Sequence, residues 1–171
     1  SSISVLLGNG DGTFRPKQDF VSGSAPRAVV LGDFDSDGNL DVVSADEGVS
    51  SLSLFRGTGD GTFGPRTTFA SGAGPRDVAA GDFNADGQLD LAVANEGAGT
   101  VSILLGTGSG TFGAKMDLTV GTGPRGVALG DVNADGKLDV VSSNITSASI
   151  TVLMGNGDGT FAARQDFGVG A

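Results

Sequence analysis

The chain contains no cysteine, no histidine, no tryptophan and no tyrosine in 171 residues. Without cysteine there is no disulfide framework, no thiolate metal site and no cysteine nucleophile. Without histidine there is no imidazole to act as a general base or a zinc ligand. Basic residues are also scarce: 10 Lys and Arg stand against 20 Asp and Glu, a formal net charge of −10. That balance argues against nucleic acid and anionic membranes as partners, since both reward Lys and Arg. No apolar run reaches the roughly 18 residues that a membrane-spanning helix needs. The opening stretch "SSISVLLG" lacks the basic start of a secretory signal. An exported form is expected to carry its signal upstream.

Glycine is abundant, at 31 residues, and it recurs on a period. Four copies of one turn, "GNGDGTF", "GTGDGTF", "GTGSGTF" and "GNGDGTF", close at Phe14, Phe63, Phe112 and Phe161. Three copies of an acidic loop open at Asp33, Asp82 and Asp131. Both series repeat every 49 residues, so the chain holds about 3.5 repeats and no linker. It is long enough for one core.

One repeat, from Pro75 to Gly121, divides into four short runs separated by turn residues. "RDVAAGDF" reads as a strand, "NADGQ" as a turn and "LDLAVAN" as a second strand. "TVSILLG" and "AKMDLTVG" give a third and a fourth, separated by "TGSGTFG". Alternation is visible in "VSILL" and "SLSLF", and no stretch carries a helical period with caps. The fold class is all-β: four antiparallel strands per repeat, the size of one β-propeller blade. One blade cannot bury both faces alone, so neighbours must stack on it. A parallel β-helix is the runner-up, but its coils are shorter and need no tight hairpin. The array 1–171 divides into a half blade at 1–24 and blades at 25–73, 74–122 and 123–171. The half blade supplies two outer strands, near 3–8 and 17–22, and the full blades begin near Arg27, Arg76 and Arg125.

The acidic loops share one pattern. They read Asp33-x-Asp35-x-Asp37-Gly38-x-x-Asp41, Asp82-x-Asn84-x-Asp86-Gly87-x-x-Asp90 and Asp131-x-Asn133-x-Asp135-Gly136-x-x-Asp139. Oxygen side chains fall at positions 1, 3, 5 and 9, with Gly at 6. Calcium takes about six to eight hard oxygen ligands, and a Gly at position 6 gives the turn that wraps them round one centre. Position 7 holds Asn39, Gln88 or Lys137, which suits a backbone carbonyl ligand and not a side chain. Position 12 is Ser44, Val93 or Ser142 where an EF-hand needs a bidentate Glu, and the flanks are strands. The pattern is that of a calcium loop spanning a β-hairpin, with three Ca²⁺ sites per chain. Asp, Asn and Gly are good turn formers, which accounts for one acidic turn but not for three of one spacing. Three Ca²⁺ would bring the formal charge from −10 to −4.

The segments "VVLGDFDSDGNLDVV", "VAAGDFNADGQLDLA" and "VALGDVNADGKLDVV" resemble the FG-GAP and VCBS repeats of bacterial surface proteins and of the integrin α-subunit propeller. The resemblance covers nearly the whole chain. It implies propeller blades, usually seven to a ring, with calcium between the first and second strands of each. It implies side-chain ligands at Asp33, Asp35, Asp37 and Asp41, at Asp82, Asn84, Asp86 and Asp90, and at Asp131, Asn133, Asp135 and Asp139. The chain departs from a seven-bladed ring in holding half that number. A dimeric ring would have eight outer strand pairs and six inner ones. A window on a longer array, or an assembly whose ends pair with other chains, fits better.

Other features carry less. The "GxGxGTF" turns lack the Lys-Ser/Thr and the helix of a P-loop, and read as hairpins with a Phe packed between blades. Asp11, Asp60 and Asp158 are turn residues, and Ser109 replaces the fourth. Every Asp pair belongs to the repeated loop, so a glycosidase pair of carboxylates is not expected, and no catalytic residues are assigned. Pro26-Arg27, Pro75-Arg76 and Pro124-Arg125 open the inner strands, each Arg pairing a nearby acid or lining a ligand ring. "NIT" at 144–146 is a glycosylation sequon on an expected loop. The function expected is an extracellular or cell-surface, calcium-stabilised, non-catalytic adhesion, interaction or self-assembly module, forming a homo-oligomer or part of a longer array. Its partner is a protein or glycan, without membrane insertion. The alternative is a calcium-dependent lectin.

Overall fold

The computed structural model describes residues 1–170. The first sheet has two strands, β1 (Ser2–Val5) and β2 (Gln18–Val21). The second holds β3 (Pro26–Gly32), β4 (Asp41–Asp46), β5 (Ser51–Phe55) and β6 (Thr67–Ala70). The third holds β7 (Pro75–Gly81), β8 (Asp90–Asn95), β9 (Thr100–Leu104) and β10 (Met116–Thr119). The fourth holds β11 (Pro124–Gly130), β12 (Asp139–Asn144), β13 (Ser149–Leu153) and β14 (Gln165–Gly168). Within each sheet the strands pair antiparallel in chain order. This is a propeller-like stack of sheets, not a parallel β-helix. The only helical piece among the described residues is a 3-10 turn at Glu47–Val49, so no helix is long and apolar enough to cross a membrane.

The strands are shorter than their apolar runs. β7 stops at Gly81 because Asp82 starts the acidic loop, and β1 stops at Val5, well before Gly8. Each full sheet opens with a proline that has no N–H to donate, and the register shifts there: Pro26/Ala28, Pro75/Asp77 and Pro124/Gly126.

The sheets stack face to face, so the alternation in "SLSLF" does not divide core from solvent. All five residues of β5 are buried. Leu52 and Leu54 join the apolar core, while the Ser53 hydroxyl donates to Asp46 at 2.5 Å. The turn phenylalanines lock each sheet to the one before. Phe63 packs edge-on against Phe20 of β2 at 5.1 Å. Phe112 contacts Phe69 of β6 at 5.0 Å and Phe34 at 5.8 Å, and Phe161 contacts Phe83 at 5.5 Å. Phe14 has no sheet before it and stands 63% exposed.

The inner-strand arginines form a ladder with acids. Arg27 pairs with Glu47, Arg76 with both Glu47 and Glu96, and Arg125 with Glu96. The ladder stops at Ile145, which occupies the place of Glu96 one repeat on. One expectation fails outright. Asn144 of the sequon is the last residue of β12, 2% exposed, and its amide donates to Ser149 and Thr151. The repeat places it with Asp46 and Asn95, inside a sheet and not on a loop, so a folded chain does not offer it for glycosylation.

Stacking predicts unequal consequences for one residue type at one place in the repeat. Phe112→Ala should lower unfolding stability by about 3 kcal/mol, whereas Phe14→Ala should change it by less than about 0.5 kcal/mol. Urea unfolding of the two variants checks this, and equal losses would contradict it.

Candidate metal centre

Each acidic loop joins the two inner strands of a full sheet, and the backbone bends twice to make it. Gly38, Gly87 and Gly136 take φ of 86°, 81° and 84°, where glycine is favoured. Ser36, Ala85 and Ala134 also have positive φ, between 58° and 61°, which no local sequence signal announces.

The first carboxylate of each loop caps the turn. Asp33 accepts from the amides of Asp37 (3.1 Å) and Gly38 (2.9 Å), and Asp82 and Asp131 take the equivalent Asp86, Gly87, Asp135 and Gly136 amides. The Gly136 amide holds the Asp131 carboxyl below its ordinary range. The fifth-position carboxylates accept from the position-7 amides: Asp37 from Asn39 at 2.7 Å, Asp86 from Gln88 at 2.8 Å and Asp135 from Lys137 at 3.0 Å. The Asn39 amide lowers Asp37 correspondingly.

The ninth-position carboxylates do different work. Asp41, Asp90 and Asp139 are wholly buried. One oxygen of each accepts from the loop, at Phe34, Phe83 and Val132 (2.8–2.9 Å). The other accepts from the glycine that follows the third strand, at Gly57, Gly106 and Gly155 (2.7–2.8 Å). Burial pushes the Asp90 carboxyl up despite those two donors. These side chains brace the loop against the sheet, and each oxygen retains a lone pair for a further contact.

The three carboxylates Asp33, Asp35 and Asp37 converge: each offers an oxygen within 4.8 Å of the others. Asp41 lies outside that group. Asp35 is the least satisfied. Its Oδ1 is buried without a hydrogen-bond partner, and its Oδ2 lies 3.6 Å from Arg56. Burial and the charges of Asp41 and Asp37 push its carboxyl up. An orphaned carboxylate oxygen between like charges fits a hard cation. In the other loops Asn84 and Asn133 replace Asp35. Their amides donate to Asp86 (2.9 Å) and Asp135 (3.1 Å), and their Oδ1 atoms accept the Asp86 and Asp135 amides. Among the position-7 side chains, Gln88 accepts from Ser36 of the neighbouring loop, and the Lys137 stem lies beside Gly157. The aspartates of the glycine-rich turns are fixed locally. Asp60 accepts from Thr62 and Thr58, which lower its carboxyl to about 2.

A family model described as the FG-GAP-like repeat matches residues 1–44, 33–93 and 82–142. Among solved structures the chain is similar to a lectin of Agrocybe aegerita, described as specifically recognising non-reducing terminal N-acetylglucosamine. The TM-score is 0.63 at 18% identity, over 96% of this chain and 46% of the lectin. It also matches the Photorhabdus luminescens Tc holotoxin pore, with TM-score 0.43 and 18% identity over 99% of this chain and 11% of that one. BBS1N in complex with ARL6DN gives 0.45 and 15%, over 88% and 56%. The chain thus spans less than half the lectin's length, and at these identities the likeness is one of fold. No curated protein matches the chain in sequence.

Two carboxylates of the first and second loops should behave oppositely in metal-free buffer. Asp90→Ala leaves the amides of Phe83 and Gly106 unpaired and should cost about 3 kcal/mol. Asp35→Asn removes an orphaned charge and should raise stability by up to about 1 kcal/mol. Urea unfolding in EDTA measures both, and a loss in Asp35→Asn equal to that in Asp90→Ala would make Asp35 a structural brace instead.

Proposed function

Since the chain belongs to the FG-GAP-like repeat family, we propose that it is an extracellular, calcium-stabilised interaction module that binds or assembles and does not catalyse. The observation that carries this reading is the carboxylate cluster of Asp33, Asp35 and Asp37, with its buried unpartnered oxygen, in a loop that recurs twice more. Asp33, Asp35 and Asp37 would hold the ion in the first loop, Asp82, Asn84 and Asp86 in the second, and Asp131, Asn133 and Asp135 in the third. Asp41, Asp90 and Asp139, with the carbonyls of Asn39, Gln88 and Lys137, are the remaining candidate ligands. A bound calcium offsets the mutual repulsion of the carboxylates, so its binding free energy adds to folding free energy. Extracellular calcium is about millimolar and fills modules of modest affinity. That is the support for an extracellular location. The same loop in every full sheet suits a scaffold better than a single reaction centre.

A calcium-dependent lectin is the second reading, favoured by the fold likeness to the Agrocybe aegerita lectin. Against it, the chain has no Trp or Tyr on which a sugar ring could stack.

Thermal melts in about 2 mM calcium and in excess EDTA, with a sizing column run in parallel, test the proposal. It predicts a fall of at least about 10 °C in EDTA. An unchanged melt would remove calcium, and with it the argument for location. A glycan array separates the two readings: calcium-dependent capture of a defined sugar supports the lectin.

A further inference from the structure

At three places the repeat changes character, and the three meet at one junction. The third position of the acidic loop is Asn84 and Asn133 in the later loops but Asp35 in the first. Beyond the third strand of a full sheet stands Leu105 or Met154, with Leu7 at the equivalent place of the first sheet, but Arg56 in the second. The glycine-rich turns carry Asp11, Asp60 and Asp158, but Ser109 in the third copy.

The fold makes these three one cluster. Backbone joins the loop of one sheet to the turn of the next in the same way at two junctions. The Gly110 amide donates to the Phe34 carbonyl (2.9 Å), and the Gly159 amide to the Phe83 carbonyl (3.0 Å). The side chain laid over that turn glycine differs. Leu105 lies over Gly159 and Leu7 over Gly61, whereas the Arg56 guanidinium lies over Gly110. Its Nη2 donates to the carbonyls of Ser109 (2.9 Å) and Gly110 (3.3 Å), and its Nε stands 3.6 Å from Asp35 Oδ2. Arg56 thus belongs to the second sheet, grips the turn of the third and faces the acidic loop of its own sheet.

The three exchanges complement one another. Asp35 adds a fourth carboxylate to Asp33, Asp37 and Asp41. With Arg56 counted, the first loop carries −3, the charge that Asp82, Asp86 and Asp90 give the second loop, where Leu105 takes the place of the cation. An Asp in place of Ser109 would put another carboxylate into the turn that Arg56 grips, and it would compete with Asp35 for the guanidinium. The Ser109 hydroxyl bonds those of Thr107 (2.8 Å) and Thr111 (3.1 Å), closing the turn without a charge.

We propose that Arg56 sets the divalent-cation affinity of the first acidic loop. Calcium at Asp33, Asp35 and Asp37 meets the guanidinium as a second positive charge on the same carboxylates, so it binds more weakly than four carboxylates alone would hold it. Arg56 is partly exposed, so water and salt screen this repulsion without removing it. By linkage, calcium in this loop loosens the grip of Arg56 on the turn of the third sheet, a coupling that Leu105 cannot provide at the next junction. The inference rests on the calcium reading above and adds to it a residue outside the loop pattern.

Calcium chloride titrated into the chain, followed by the amide NMR signals of Gly38, Gly87 and Gly136, reads the three loops separately. Arg56→Leu, which installs the residue of the neighbouring repeats, should move the Gly38 midpoint to about tenfold lower calcium and leave those of Gly87 and Gly136 in place. Arg56→Gln should act in the same direction, and it decides the matter where Arg56→Leu fails to fold. Arg56→Lys keeps the charge and should hold the Gly38 midpoint within about twofold of the unaltered chain. A Gly38 midpoint unmoved or raised by Arg56→Leu and Arg56→Gln, while Gly87 and Gly136 respond to calcium, would overturn this inference and leave the calcium reading standing. An equal shift at all three glycines, or Arg56→Lys behaving as Arg56→Leu does, would overturn it likewise. No response to calcium at any of the three would overturn both.

Discussion

A sheet that is apolar on both faces is stable only between two others, and this chain is organised around that constraint. β4 and β8 are buried at every residue because a sheet lies on each side of them. In the last sheet the same strand, β12, already has an exposed residue at Ser143, and β14 is exposed throughout. Chemistry does not distinguish Phe14 from Phe63, or Leu40 from Leu89. Position in the stack does. The inner hairpins carry most of the contact between sheets, and the acidic loops sit at their tips.

The loop carboxylates divide into two kinds for an electrostatic reason. Those at position nine are buried, and their charge is spread over two backbone amides, so they hold the loop to the sheet with no ion required. Those at positions one, three and five lie nearer water and nearer one another. In the first loop this leaves Asp35 with an oxygen that nothing in the chain satisfies. A cation among them would join the loop to the brace beneath it. The Arg27–Glu47–Arg76–Glu96–Arg125 ladder performs a parallel task at the other end of the inner strands. Its partly exposed pairs count together as a network more than singly.

Much of this was legible in the sequence because the repeat speaks three times. The 49-residue period gave the strand count per sheet, the antiparallel order and the loop that bridges the first two strands. The glycines at position six announced their left-handed backbone. Ser36, Ala85 and Ala134 did not, because tertiary contacts force non-glycine residues into that region. The alternation in "SLSLF" misled about exposure, since period two marks which face a side chain takes and not whether that face is covered. The sequon at Asn144 suggested a loop for lack of comparison with Asp46 and Asn95 at the same place.

An FG-GAP-like array of this kind presents an acidic loop at the tip of the inner hairpin in every full sheet. The account rests on stability passing from sheet to sheet through covered faces. Native-state hydrogen exchange measures that directly. The amides of β7–β9, covered on both sides, should exchange slowest, those of β11–β13 faster, and those of β1–β2 fastest. Uniform protection across the four sheets, or the slowest exchange in β1–β2, would contradict it.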